Sequence, residues 1–157
     1  MNILNIAPIR SWHLQPEMKF KKFALLKVNF YLNREFKEDN PDKTIAPEIT
    51  ITHEFRENEK QLVVILGLRQ LTGNIQYRFE VEAGSLFQFD NVPEEKILKQ
   101  LATINCPAII FPYVRETIAD LTRRAGFPPL HLNPINFIQL AKEQEAKLKQ
   151  GTEEISK

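Results

Sequence analysis

The side chains in this chain that most often do chemistry are a single cysteine, Cys106, and three histidines, His13, His53 and His131. Their separations do not match the short ligand spacings of a zinc site. Cys106 and His131 would supply a thiol and a base, but no third group that orients the base and no catalytic signature accompanies them. Glycine-rich phosphate-binding motifs, the G-x-S-x-G elbow and the H-E-x-x-H helix are also missing from the sequence. We therefore expect no enzyme, no metal site and no cofactor.

The charge balance bears on the choice of partner. The 157 residues include 21 basic and 20 acidic side chains, for a net charge of +1, which argues against nucleic acid or an anionic membrane as the main partner. The single cysteine excludes an internal disulfide and is typical of a reducing compartment. The apolar run 62–68 is far shorter than the roughly 20 residues that span a bilayer, and residues 1–18 do not resemble a signal peptide. We expect a cytoplasmic protein with no membrane insertion.

The first two-thirds of the chain have the periodicity of β-strands. Alternating or continuous apolar residues predict strands over 20–32, 48–57, 60–70 and 75–83, the last extended by 85–89 past a bend at Gly84. His53 lies on the apolar face of the second strand, which favours a core or groove histidine. The pattern predicts an antiparallel sheet of four strands with one polar, exposed face and one apolar face that needs a cover.

The last third has the signals of helices. A short helix is capped by Asp90-Asn91, runs to about Ala102 and stops before Cys106-Pro107. A second helix covers 112–124 and ends at Gly126; if it begins near Pro107 instead, Pro112 lies inside it and must kink it. A third begins at about Pro134. The expected fold class is therefore α+β, with one domain over 1–150 and a frayed tail over 151–157.

The second helix carries an apolar stripe with two open interpretations. Val114, Ile118 and Leu121 recur at helical spacing, and Ile109-Ile110-Phe111 just upstream add more apolar surface than one stripe needs. These side chains either fill the core under the sheet or contact another subunit. The sequence alone does not separate the two interpretations.

A motif in the second half resembles the SecB family of protein-export chaperones. The segment is CPAIIFPYVRETIADLTRRAGFPPLHLNPINF, residues 106–137, with Cys-Pro, Phe-Pro-Tyr, Arg-Glu, Phe-Pro and Asn-Phe in the order that the family uses. Weaker matches occur at Pro47-Glu48-Ile49 and Phe79-Glu80-Val81. The resemblance covers roughly residues 20–141.

The resemblance implies a fold, an activity and an assembly. The family fold is a four-stranded antiparallel sheet packed by a long central helix and a C-terminal helix. Its members are dimers of dimers, with the first strand and the long helix in the contacts, and they bind unfolded precursor polypeptides in apolar grooves without ATP. Transferred to this chain, the resemblance assigns client contacts to Ile49, Ile51, Phe137 and Leu140, oligomer contacts to Val114, Ile118 and Leu121, and partner docking to Glu80.

Two departures from the family pattern affect these expectations. Beyond Leu140 the last helix reads Ala-Lys-Glu-Gln where the family usually has bulky apolar residues, which predicts a shallower or displaced groove. Family members that dock the export ATPase SecA use acidic residues on the sheet. The corresponding first-strand positions in this chain are Lys27 and Tyr31, and Arg78 replaces an apolar neighbour on the fourth strand, although Glu80 matches an acidic position. Two alternatives to a general export chaperone therefore stay open: a SecB-like chaperone dedicated to one client such as an antitoxin, and an oligomeric assembly module without chaperone activity.

Overall fold

The computed structural model describes the backbone of residues 17–155 and the side chains of residues 17–150. Most of the N-terminal stretch that was compared above with a signal peptide lies outside the described residues. The last two residues of the predicted tail also lie outside them.

Four antiparallel strands form a single sheet, as the alternation of apolar residues predicts. Their bounds are β1 Met18–Leu32, β2 Glu48–Arg56, β3 Gln61–Gln70 and β4 Tyr77–Phe89, in the spatial order β1-β4-β3-β2. Short connections join β2 to β3 and β3 to β4. The long segment 33–47 leads from β1, which pairs with the side of β4 away from β3, to β2 at the opposite edge. β1 and β2 are therefore the two edges of the sheet.

The strand β4 continues through Gly84, so residues 85–89 extend it, as predicted. Gly84 pairs with Ala24 on one side and Ile65 on the other. A Cβ atom at this position would lie 3.0 Å from Cδ1 of Leu26. Because glycine has no side chain, Leu26 can approach the backbone of β4 closely at this position. The contact lies next to the register shift that β1 makes between Leu25 and Lys27.

One face of the sheet forms the hydrophobic core. Four side chains of β3 and four of β4 that alternate along the strands are completely buried, namely Leu62, Val64, Leu66, Leu68, Phe79, Val81, Ala83 and Phe87. Their neighbours in sequence, such as Glu80 and Glu82, point to the opposite face. The alternation of apolar and polar residues along β4 therefore gives the sheet one apolar face and one largely polar face.

The helices differ from the prediction at Cys106-Pro107. The short helix α1 (Glu95–Gln100) does not stop there but continues through a five-residue π turn, Leu101–Asn105, into α2 (Cys106–Arg124). The N–H of Cys106 donates to the carbonyl of Leu101, five residues back. Pro107 has no N–H and its ring clashes with a regular preceding turn, and the wider π turn removes that conflict. Of the two predicted starts for the second helix, the one near Pro107 is confirmed.

The C-terminal end of α2 is closed by a glycine and a buried threonine. Gly126 has a φ of 91°, and the N–H of Phe127 donates to the carbonyl of Thr122. The hydroxyl of Thr122 also accepts from the N–H of Leu130 at 2.9 Å and so fixes the segment that leads to the last helix. This helix, α3, runs from Phe137 to Ile155 and therefore includes most of the segment predicted as a frayed tail.

The apolar stripe of α2 belongs to the core of the protomer. Val114 and Ile118 have no exposed surface, and Leu121 is half-buried against the same core. Because the sheet already covers Val114 and Ile118, no surface of either is left for a second subunit, and their assignment to an oligomer interface is wrong. The run Glu95–Arg124 is apolar enough by length and composition to cross a membrane, and its packing against the sheet accounts for part of that apolar character.

Candidate functional site

A groove opens where the edge strand β2 faces the helices α1 and α3. It encloses about 550 Å³. Three elements that are far apart in the sequence supply its lining: Ile51, His53 and Phe55 from β2, Glu95, Leu98, Lys99 and Thr103 from α1 and the π turn, and Ala141, Gln144, Glu145 and Leu148 from α3. Aliphatic and aromatic groups thus surround an opening that carries charged groups, the usual composition of a site that binds an apolar ligand.

The strand wall of the groove follows from the register of β2. Ile51, His53 and Phe55 lie opposite three core residues of β3 and therefore point to the core side of the sheet. The helices cover this edge of the sheet incompletely, so Ile51 and Phe55 stay half-buried and His53 is exposed. The ring of Phe55 packs edge-to-face on Phe89 at 6.2 Å, which anchors one end of the groove to the core.

The helix wall of the groove is a single stripe of α3. Ala141, Gln144, Glu145 and Leu148 follow one another at spacings of three, one and three residues, so they share one side of the helix. Ala141 is short and Gln144 is polar, so Leu148 is the one large apolar side chain that α3 contributes to this wall.

An ion pair joins α1 and α3 at the groove. Nζ of Lys99 donates to Oε1 of Glu145 at 2.6 Å. This hydrogen bond, followed by the attraction between the opposite charges, holds the pKa of Glu145 below its usual range. Both side chains are at least half exposed, so the pair orients α3 and contributes little to stability.

The four predicted client-contact residues divide between groove and core. Ile51 lines the groove, and its contact with a client stays a prediction. Phe137 is only 5% exposed and its ring packs on Phe111 at 6.1 Å, so it is a core residue and its assignment to client contact is wrong. Ile49 and Leu140 are half-buried against the core, outside the lining.

Three apolar lining residues were missed by the sequence analysis: Phe55, Leu98 and Leu148. The stripe spacing of α3 was the available signal for Leu148, which is 73% exposed. No local pattern marks Phe55 or Leu98 as lining a groove, because the groove exists only after β2 and α1 come together.

The outer face of the sheet holds Glu80 in an ion pair. Its carboxylate accepts from Nζ of Lys27 at 2.8 Å and from Nδ2 of Asn29 at 3.3 Å. The hydrogen bond from Lys27 is the main cause that lowers the pKa of Glu80. On the same face, Arg69 donates two hydrogen bonds of 2.8 Å to Glu48. The acidic groups of this face are therefore largely neutralised by the chain's own cations.

A second exposed apolar surface joins β1 to α2, and we call it the β1–α2 face. Five large side chains there are each between 39% and 49% exposed: Phe20, Leu25, Val28, Ile109 and Tyr113. The ring of Tyr113 lies 6.3 Å from that of Phe20 and 4.8 Å from that of Phe23, so strand and helix form one continuous surface. Of the surplus apolar residues seen in the sequence, Ile109 lies on the exposed side of α2, opposite to the stripe of Val114, whereas Ile110 and Phe111 are buried in the core.

Cys106 lies in the core and is not positioned as a nucleophile. It has no exposed surface, and its sulfur contacts that of Met18 at 3.7 Å. Burial raises the pKa of its thiol to about 12, so the thiol stays neutral at physiological pH. Within residues 17–150, no three His, Cys, Asp or Glu side chains come together as a metal site.

The sheet, the long interrupted helix and the lateral groove together define an α+β module with an open apolar groove. The family model for preprotein translocase subunit SecB matches residues 27–148. The protein-export protein SecB of Methylobacillus flagellatus is 38% identical over 116 residues, which are 68% of this chain and 73% of that protein. That of Dinoroseobacter shibae is 34% identical over 115 residues, 70% of this chain and 65% of its own length. The chain belongs to the SecB family of protein-export chaperones.

Solved structures share the fold. A SecB-like chaperone of Mycobacterium tuberculosis, in complex with a ChAD peptide from an antitoxin, has a TM-score of 0.62 at 22% identity, covering 76% of this chain and 90% of the other. A protein of unknown function from Streptococcus agalactiae has a TM-score of 0.53 at 15% identity. These likenesses confirm the predicted α+β fold with its long and C-terminal helices.

Proposed function

We propose that this protein is an ATP-independent holdase that keeps precursor polypeptides unfolded and competent for export by binding their apolar segments in the groove between β2 and α3. The observation that carries the proposal is the groove itself, with Ile51, Phe55, Leu98 and Leu148 around an open cavity of about 550 Å³. Such a site needs no catalytic group, and the chain's one thiol is buried and neutral. The protein therefore acts by binding and not as an enzyme.

The energetics favour weak, repeated contacts. Each large apolar client side chain that leaves water gains about 1.5–3 kcal/mol, and a groove of this size takes only a few of them. Ordering the client and losing its freedom offset part of that gain. One groove therefore binds weakly and with little sequence preference, and several linked grooves bind tightly through effective concentration.

Assembly into a homotetramer, a dimer of dimers, supplies the additional grooves. The β1–α2 face is the surface that supports this part of the proposal, because five large apolar side chains there are 39–49% exposed in the single chain. Contiguous apolar surface of this kind marks interaction sites on soluble proteins. The interface thus uses Ile109 and Tyr113 in place of the predicted Val114 and Ile118.

The partnership with SecA is weakened in this chain. Like charges at a docking face cost several kcal/mol of binding free energy, and Lys27 and Arg78 stand where acidic or apolar groups were expected. Glu80 is already paired with Lys27 at 2.8 Å. The protein works in the cytoplasm, where precursors are available before export, without nucleic acid and without inserting into the membrane.

Light-scattering mass on a sizing column tests the proposal. The protein is run alone, with a denatured, slowly folding precursor, and with the same precursor folded; we expect a tetramer that co-elutes with the unfolded form only, without ATP. Leu148→Asp places a charge in the groove and should abolish co-elution while the tetramer persists. Leu71→Asp is the matched control, since Leu71 is 40% exposed and lies outside the groove lining. A tetramer that ignores the precursor would instead identify an assembly module without chaperone activity.

A chaperone dedicated to one client is the second candidate. The observation that favours it is the fold likeness to the Mycobacterium tuberculosis SecB-like chaperone, whose structure contains an antitoxin peptide. The weakened SecA face agrees with this candidate. Affinity for a panel of unrelated denatured precursors separates the two: comparable binding across the panel supports the general holdase, and binding of one client alone supports the dedicated form.

A further inference from the structure

We propose that the outer face of the sheet, the side that carries Glu80 and is opposite to the helices, is a contact surface for a second copy of this chain. This contact is separate from the β1–α2 face and does not depend on client binding. The proposal rests on apolar side chains that lie on this face and on the order of the charges across the four strands.

A strip of apolar side chains crosses the outer face. Val63 and Leu86 pair across β3 and β4, and Ile65 follows on β3 opposite Gly84. Leu26, which is 54% exposed, reaches over Gly84 from β1. Its Cδ1 and the Cγ1 of Ile65 lie 3.0 and 3.7 Å from the position that a Cβ atom of Gly84 would take. The solvent side of an antiparallel sheet is normally polar, so this contiguous strip indicates a partner on this side as well.

The two edges of the strip carry opposite charges. One row of paired residues crosses all four strands, and its members are, in order, Lys22, Leu86, Val63 and Glu54. Among the described side chains Lys22 forms no ion pair, and Glu54 has one contact of 3.4 Å with Arg56 on its own strand. The row therefore offers a cation at the β1 edge and a carboxylate at the β2 edge.

This order of charges is complementary to itself. In a twofold contact the same patch of both copies meets. An axis that runs along the strands, between β4 and β3, brings β2 of each copy over β1 of the other. Glu54 of each copy then faces Lys22 of the other, so the attraction occurs twice, and Leu86 faces Val63 between the two ion pairs.

A second charged row fits the same axis. Glu80 and Arg69 pair on β4 and β3, so the axis brings Glu80 of each copy opposite Arg69 of the other. Within each copy Glu80 is already paired with Lys27 and Arg69 with Glu48, both at 2.8 Å. No unpaired charge of this row enters the contact, which avoids the main penalty for burying charged groups.

One row opposes the contact. Lys19 on β1 and Arg56 on β2 are the ends of the row nearest the end of the sheet, so the axis brings these two cations together. Lys19 is paired with Asp90 at 3.3 Å, and both cations are at least 45% exposed. Salt screens such exposed charges, so this row lowers the affinity without blocking the contact.

The size of the outer face predicts a weak contact that depends on protein concentration. Four strands about 4.8 Å apart and the nine residues of β2, at about 3.3 Å each, give a footprint of roughly 570 Å² per copy. A standard interface buries about 800 Å² per partner. The outer face also contains Glu80, to which the family resemblance assigns partner docking, so self-association and partner docking exclude each other.

Charge reversal tests the twofold contact. Light-scattering mass of the full chain is measured over a wide range of protein concentration, and we expect the mass of the wild type to rise with concentration. Lys22→Glu or Glu54→Lys alone replaces two attractions by two repulsions, so the association constant should fall by about tenfold. The double reversal should restore it, and Lys142→Glu, an exposed position of α3 outside this face, should leave it unchanged. Losses that add up in the double variant, or single reversals without effect, would overturn the proposal.

The apolar strip provides the second test. Leu26→Asp places a charge in the strip and should abolish the rise in mass, whereas Leu71→Asp, 40% exposed beyond the end of β3, should not. Ile109→Ala on the β1–α2 face should lower the starting mass and leave the association constant of the outer face unchanged. A rise in mass that Ile109→Ala removes and Leu26→Asp retains would assign the self-association to the β1–α2 face and overturn the proposal. A wild-type mass that stays constant at every concentration would overturn it as well.

Discussion

Replacing Ile118 by alanine separates the core role of the α2 stripe from an assembly role. Ile118 is completely buried in the protomer core. The substitution removes three carbon groups, worth about 0.8 kcal/mol each in transfer free energy, and the residual cavity brings the loss to about 4 kcal/mol. That loss is a large fraction of the 5–15 kcal/mol that typically stabilises a domain.

The matched control is the same substitution on the opposite side of the same helix. Ile109 is 39% exposed on the β1–α2 face, so Ile109→Ala should leave the fold of the protomer intact and shift the oligomer towards smaller species. Urea unfolding at several protein concentrations, combined with light-scattering mass, resolves the two effects, since assembly makes the apparent stability depend on concentration. Full wild-type stability of Ile118→Ala together with a lowered mass would refute the core assignment.

Three further predictions concern chemistry and charge. Cys106 should resist alkylation at neutral pH in the folded protein, because its pKa is raised to about 12 and its thiol is buried, and Cys106→Ser should retain client binding; rapid alkylation or lost binding would contradict this. Lys99 lowers the pKa of Glu145, so the ion pair between α1 and α3 persists at neutral pH and is lost as the pH falls through that lowered pKa. We expect client affinity to change over the same acid range, and Glu145→Gln should abolish this pH dependence. Lys27→Glu should increase SecA binding measured by co-elution by removing the cation that pairs with Glu80; an unchanged affinity would show that Lys27 does not control docking.

Local patterns were sufficient to predict most of the fold. The alternation in 75–83 is a property of adjacent residues, and it correctly predicted which side of β4 is buried. Gly126 likewise predicted the end of α2 because a positive φ is a local requirement. The break expected before Cys106-Pro107 was wrong because a π turn accommodates the proline without ending the helix.

The groove was less accessible to sequence reasoning. Its walls come from residues around 53, 98 and 145, and only packing brings them together. Phe137 was assigned to client contact from a family motif, but the motif positions it against Phe111 in the core. Motifs that are specific to a fold therefore identified the family here and did not identify which side chains stay open to a ligand.

Site-specific photo-crosslinking tests the central claim that the groove holds unfolded polypeptide. A photoreactive residue at Gln144, in the helix wall of the groove, is compared with one at Arg124, which is exposed at the end of α2 and outside the lining. The account predicts crosslinks to a denatured precursor from position 144 and not from 124, and none to the folded precursor. Equal crosslinking from both positions, or none from 144 while the precursor is bound, would contradict it.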